Sequence, residues 1–349
     1  MSRGLIAIFA VATGLAVASN YLAQPLLATI RHDLGVGSAV AGLIVTVAQT
    51  GYALGLVLLL PLGDLFERRR LITTLAVLTA LGLGAAGFAP SIGWLMGATG
   101  LVAQVAGWRT VYWVAAVCML ALAIVLNRTL PEYRENVALS YPRLLASVLA
   151  IARREPMLRR RAVYGGLAFA DFSVLWTTLA FLLAGPHYHY GEAVIGLFGL
   201  AGAAGAVVAS PIGRLNDRGW TVHLTGLMSV LLPLSFLLIW LGRTSLVALI
   251  AGVIVVDLAS QNLHITNQSQ IYKLRPEERS RITAFYMTCC FIGAALGSST
   301  AASAFGASGW KGVCILGAGF GCASLLWWVI DLAGARRRTV DDPATDLSK

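Results

Sequence analysis

Charge is what this chain has least of. Only 12% of its 349 residues are Asp, Glu, Lys or Arg, about half the share of an ordinary soluble domain. Hydrophobic residues make up 58%, and the mean hydropathy is +0.77. A soluble chain of this size could not hide so much apolar surface, so the excess must face lipid. Cysteine is also sparse. The five, Cys118, Cys289, Cys290, Cys314 and Cys322, all lie in apolar runs without C-x-x-C spacing, which argues against a disulfide framework or a thiolate metal site and for small packing residues. No Walker loop, no G-x-S-x-G and no H-E-x-x-H occurs, so neither an ATP-driven pump nor a membrane hydrolase is expected, and no enzyme activity or cofactor. In "PHYHYGE" (186–192), His187 and His189 have only Glu192 beside them; no metal site is expected there.

What is present is long apolar sequence. A bilayer core takes about 20 apolar helical residues. By that ruler ten segments qualify: 4–27, 38–62, 70–89, 108–127, 161–184, 192–212, 221–241, 245–268, 282–305 and 311–333. Their unbroken runs lack the alternation of a barrel strand, so each reads as a helix. The expected fold class is all-α, a polytopic membrane helix bundle. The first run is about twice the length of a signal-peptide core and has no clear cleavage motif, so it reads as a retained span.

The basic residues orient these spans. With the N-terminus cytoplasmic, 22 of the 26 Lys and Arg fall on the inner side, and only Arg31, Arg109, Arg243 and Lys311 fall outside. That bias predicts both termini inside. It also accounts for the net charge of +10 as an inner face meeting anionic lipid, without nucleic acid as a partner. The longest polar segment, 128–160, contains Pro131, Pro142, Pro156 and the stretch "LLASVLAIARR", which reads as a short amphipathic helix on the membrane surface. The expected organisation is an N-terminal membrane half of four spans (1–127), a cytoplasmic linker (128–160), a C-terminal half of six spans (161–333) and a polar, disordered cytoplasmic tail (334–349).

Two internal repeats support that division. "PLGDLFERRRL" (61–71) and "PIGRLNDRGWT" (211–221) align at an offset of 150, pairing Gly63, Leu65, Glu67 and Arg68 with Gly213, Leu215, Asp217 and Arg218, and Pro61 with Pro211. "AGWRTVYWV" (106–114) and "SGWKGVCIL" (308–316) align at an offset of 202. From the charged loop to the Gly-Trp pair there are 96 residues in the second half and 44 in the first. The difference is about two spans with their turns. The stretch 90–107 reads as the join, and the region around "YKLRPEERSRITAFYMT" has no counterpart in the first half.

The repeated G-x-L-x-[DE]-R loop resembles the signature loop of the major facilitator superfamily. "NYLAQPLL" (20–27), "GDLFERRRLI" (63–72), "NQSQIYKLRPEERSR" (267–281) and "GWKGV" (309–313) are similar to a bacterial branch related to drug:proton antiporters. The resemblance covers nearly the whole chain. It departs in two places: the fourth and fifth spans of the twelve-span plan are missing, and Glu67 stands where the superfamily usually has Asp. The resemblance implies a secondary transporter of the inner membrane, with proton-coupled efflux of a small organic molecule by alternating access. It also implies that the loops holding Gly63, Glu67, Arg68, Gly213, Asp217 and Arg218 make gating contacts at the cytoplasmic face.

Ionisable groups inside spans are expensive and mark function. There are two clear cases, Asp257 and Asp171. Asp257, Gln261, His264 and Gln268 fall at i, i+4, i+7 and i+11, one face of a helix, with Asn262 and Asn267 flanking them. Asp171 lies near Phe172, Ser173, Trp176 and Thr177. Both aspartates are candidates for proton coupling; a buried polar network that packs helices is the competing reading. In the first span Thr13, Asn20 and Gln24 share a face, with Tyr21 and Pro25 beside it, and Gln49 and Tyr52 lie in the second. Asn20, Tyr21, Gln24, Gln49, Trp176, Gln261 and His264 are the candidate substrate contacts, with interhelical hydrogen bonding as the alternative. Gly293 and Gly297 form a G-x-x-x-G and predict close helix packing. The shortfall leaves a second functional reading open, an internally deleted membrane protein that inserts but does not transport. No protein partner is legible.

Overall fold

The computed structural model describes residues 8, 11–12, 14–15, 23–59, 62–63, 65–87, 108–130, 140–208, 215–216 and 218–341. All regular structure among them is helical. Positions 8, 11–12 and 14–15 of the first predicted span are helical. Pro25 then has no N–H to give, and Gln24–Leu26 tightens into a 3-10 turn before α1 (Leu27–Asp33). That helix runs six residues past its predicted end and stops at Gly35, whose positive φ of 63° suits the residue after a helix cap.

The next helices are α2 (Ser38–Leu59), α3 (Arg68–Gly87) and α4 (Trp108–Thr129). The linker holds α5 (Tyr141–Arg154). Beyond it come α6 (Pro156–Leu183), α7 (Glu192–Val208), α8 (Thr221–Leu241) and α9 (Leu246–Ile271). The last helical stretch, Arg279–Asp341, breaks at Gly309 (φ 60°, ψ −150°) into α10 (279–308) and α11 (310–341). Gly309 begins the repeated Gly-Trp motif, and its backbone conformation is one that L side chains rarely adopt. Nine of these elements, α2–α4 and α6–α11, coincide with nine of the ten predicted spans; most of the first span lies outside the described residues. Six, with α10–α11 counted as one, are long and apolar enough to cross a membrane.

Two further helix ends depart from the predicted spans by several residues. α6 starts at Pro156, where a proline fits the first helical position, five residues before the predicted span 161–184. α11 continues to Asp341, eight residues into the predicted disordered tail. The run from Ala335 to Arg338 consists of strong helix formers, and its cations suit a helix C-terminus.

The core has two main parts. Leu26 of the 3-10 turn, Ile30 of α1, Ile44 of α2, Leu83 of α3, and Tyr112 and Met119 of α4 form one cluster. Val174 and Leu179 of α6, Phe236 of α8, Val253 of α9 and Val313 of α11 form the other. α6 is the central post: 67% of its most apolar stretch is buried, against 28% for α2. α5 is amphipathic as expected. Leu144, Val148, Ile151 and Ala152 are buried beneath it, Tyr141 donates to Leu58 O on α2 at 2.7 Å, and Arg275 pairs with Glu155 at 2.9 Å. The linker is therefore docked on both flanking helix groups.

Candidate functional site

The buried polar centre is built on α6 and α9. Asp257 is 4% exposed, and its Oδ2 accepts the Trp176 indole N–H at 3.2 Å. A third helix closes over this pair. A Cβ on Gly202 of α7 would lie 2.8 Å from the Trp176 ring and 3.2 Å from Asp257 Oδ2, so only glycine lets α7 pack there. Asp171 is fully buried, and neither carboxylate oxygen has a hydrogen-bond partner. It lies on α6 between Trp176 and Ala168, whose carbonyl accepts Ser260 Oγ of α9 at 3.4 Å. Charge held without a partner in such a place costs several kcal/mol by order of magnitude. The charge state of Asp171 and the packing around it are therefore linked.

The other predicted contacts divide. Trp176 meets Asp257 directly. His264 lies 3.1 Å from the Tyr286 hydroxyl through Nδ1 and stacks on that ring. From His264 an aromatic chain runs through Phe169 and Phe291 to Tyr52 on α2, with centroid separations of 5.2, 5.6 and 4.1 Å. Gln49 is fully buried and both ends of its amide lack a partner; Gln24 is buried with Nε2 unpartnered. Gln261 is half-buried. Asn20 and Tyr21 lie outside the described residues. So do Gly213 and Asp217, and nothing is described of the Arg68 side chain.

Glu67 is turned towards its own helix. Its Oε1 accepts the Arg69 backbone N–H at 3.2 Å and its Oε2 pairs with Arg70 at 3.3 Å, which caps α3. Gly63 lines a cavity described below, and Arg218 is exposed. Between Gly213 and Arg218, Asn216 is buried and donates to Thr266 Oγ1 of α9 at 2.8 Å.

Three features escape the sequence. A hydroxyl cluster binds α2, α6 and α10: Ser298 accepts from Thr46 at 3.4 Å and from Thr177 at 3.1 Å, and donates to Gly42 O at 3.4 Å. A Cβ on Gly42 would overlap that of Ala302, so α2 and α10 are in close contact here. Arg161, the first residue of the predicted span 161–184, is 9% exposed and donates to Thr225 Oγ1 at 3.3 Å and Asn267 Oδ1 at 3.4 Å. At the opposite end, α2 and α3 and the facing ends of α9 and α10 enclose a cavity of about 830 Å³. Gly293 and Gly297 pack on the α6 carbonyls of Gly166 and Ala170. That is the close approach the G-x-x-x-G predicts.

A polytopic bundle of apolar helices around buried carboxylates has the form of a membrane transporter. The sequence profile of the Major Facilitator Superfamily matches residues 9–101 and 93–298, and the chain belongs to that superfamily. It is 45% identical over 377 residues to the uncharacterized transporter YgaY of Escherichia coli O157:H7, covering 94% of this chain and 96% of the relative. It is 32% identical over 363 residues to the probable transporter SCO4007 of Streptomyces coelicolor, covering 90% and 84%. Its fold matches the crystal structure of the nucleoside transporter NupG (D323A mutant), with a TM-score of 0.69 at 13% identity over 89% of this chain and 94% of that one. It also matches the human organic anion transporter MFSD10, with a TM-score of 0.66 at 18% identity over 88% and 89%.

The alignments also measure a shortfall. The 377 positions shared with the E. coli relative hold 94% of this chain, or about 328 residues, which leaves about 49 positions without a counterpart here. The 363 positions of the Streptomyces alignment hold 90%, or about 314 residues, and again leave about 49. The family profile breaks and restarts at 93–101, within the stretch 90–107.

Proposed function

We propose that the chain is a proton-coupled secondary transporter of the inner membrane, multi-pass with both termini cytoplasmic, that exports a small organic molecule by alternating access. The observation that carries this reading is the pair of buried carboxylates on neighbouring helices, Asp257 bonded to Trp176 and Asp171 bonded to nothing. Two such groups inside a transporter fold are what coupling a proton to a conformational change requires. Asp257 and Asp171 carry the proton. Gln49, Trp176, Gln261 and His264, with Asn20, Tyr21 and Gln24 on the first span, contact substrate. Their mix of rings and amides suits an amphipathic molecule. The loops holding Gly63, Glu67, Arg68, Gly213, Asp217 and Arg218 gate the cytoplasmic face, and the cap that Glu67 now makes is a contact it exchanges in the cycle. Residues 1–127 and 161–333 are the two moving halves, joined by 128–160 and followed by the tail 334–349. No chemical change in the substrate is part of this reading.

The test is flux in reconstituted vesicles. Amphipathic dyes should move against an imposed proton gradient, and Asp257→Asn should reduce that flux at least about tenfold while leaving dye exchange without a gradient. Equal gradient-driven flux in the variant would refute Asp257 as the carrier.

The 49 positions favour a second reading. We assign them to the fourth and fifth spans, the counterparts of α9 and α10. On this reading the shortened chain inserts without transporting. Vesicles that show flux only after a hairpin is restored after Thr99 would select it.

A further inference from the structure

The cavity of about 830 Å³ is within the range of small-ligand sites, roughly 300–1,000 Å³, and lies apart from the carboxylate centre. Its walls are apolar, with Leu56 on α2 and Leu71 and Leu75 on α3. Its far rim is polar, with Arg279, Ser280 and Thr283 at the start of α10. Arg279 is exposed and makes no ion pair among the described residues; the hydroxyls of Ser280 and Thr283 make no side-chain hydrogen bond there. The nearby Glu278 is already held by Arg275 at 3.7 Å and by Arg281 at 3.4 Å.

The internal repeat says what kind of space this is. Tyr52 and Leu71 correspond, 150 residues on, to Gly202 and Thr221. Both of those positions face α9. Gly202 abuts Asp257, and Thr221 Oγ1 accepts Gln270 Nε2 at 3.1 Å. In the second half a membrane helix fills the seat. In the first, no described helix does, and the surrounding medium is acyl chain.

We infer that this groove binds one anionic phospholipid, with an acyl chain against Leu56, Leu71 and Leu75 and the phosphate at Arg279, Ser280 and Thr283. The phosphate gains charge-assisted hydrogen bonds from a guanidinium that lacks a carboxylate. The inner leaflet is its source, which rests on the orientation proposed above. The lipid takes the seat of the missing span and closes the wall.

A phosphatidylglycerol carrying a diazirine in its acyl chain tests this in vesicles containing the full chain. Photoadducts should map to 51–59 and 71–79, exceed those of the phosphatidylcholine analogue about fivefold, and lose that preference in Arg279→Gln. Gly51→Trp should reduce them about tenfold, since a Cβ there meets nothing within 4 Å and the protein should fold with the groove filled. Adducts spread evenly over exposed apolar positions such as Val117 and Leu120 of α4 would overturn the inference, as would a Gly51→Cys disulfide to a second copy in place of lipid adducts. Peptide mapping does not depend on transport, so failure here leaves the transport reading untouched.

Discussion

Helices α1–α4 and α6–α11 are built from related sequence but close to different degrees. Half of the most apolar stretch of α8 and of α9 is buried, against 28% for α2 and for α4, although the α10–α11 stretch is also 28% buried. At the later charged loop the buried Asn216 reaches Thr266 of α9. At the earlier one its counterpart, Phe66, is 56% exposed. Thr225 holds Arg161, whereas its counterpart Leu75 lines an open groove. One kind of loop and helix pair thus makes a polar lock where a fourth span lies over it, and an apolar groove where no described helix does. The lock depends on the neighbour, not on the signature loop alone.

That comparison can be broken most forcefully at α10. Gly293→Leu would drive a side chain into the Gly166 carbonyl, and overpacking of this kind should cost about 3 kcal/mol or more. The expected result is loss of monodisperse protein in detergent, while Gly51→Leu on α2 leaves the elution profile unchanged. A smaller effect is expected at Arg161→Met. It removes the guanidinium from which Asn267 Oδ1 and Thr225 Oγ1 accept and should lower stability by roughly 1–3 kcal/mol in a thermal-unfolding assay. The smallest is Glu67→Ala. It removes the cap on α3 and should cost about 0.5–2 kcal/mol, read as faster hydrogen exchange confined to the first turn of α3.

Much of the frame was legible from residues alone. Apolar length marks the ten segments, the spacing of Leu144, Val148 and Ile151 marks the linker helix, and the Gly-Trp repeat marks the break at Gly309. Boundaries set by a single local event were not, such as the 3-10 turn at Pro25 and the helical run beyond residue 333. Of the polar centre, Asp257, Trp176, His264 and Asp171 stood out one by one, because polar groups are rare in apolar runs. Their partners did not. The Trp176–Asp257 bond spans 81 positions, and the chain from Tyr52 to His264 joins four helices through two phenylalanines that no composition rule distinguishes from packing residues. The partners of Arg161 were equally hidden, since its hydroxyl and amide acceptors lie on α8 and α9, far off in sequence.

The central claim is that equivalent seats on α3 and α8 are open and filled, respectively. The direct measurement is the melting temperature of the detergent-purified protein with tryptophan at each: Leu75→Trp and Thr225→Trp. The account predicts that Leu75→Trp stays within about 2 °C of the parent, while Thr225→Trp falls by roughly 5 °C or more for an overpacking cost near 2 kcal/mol. Equal losses at the two positions would contradict it.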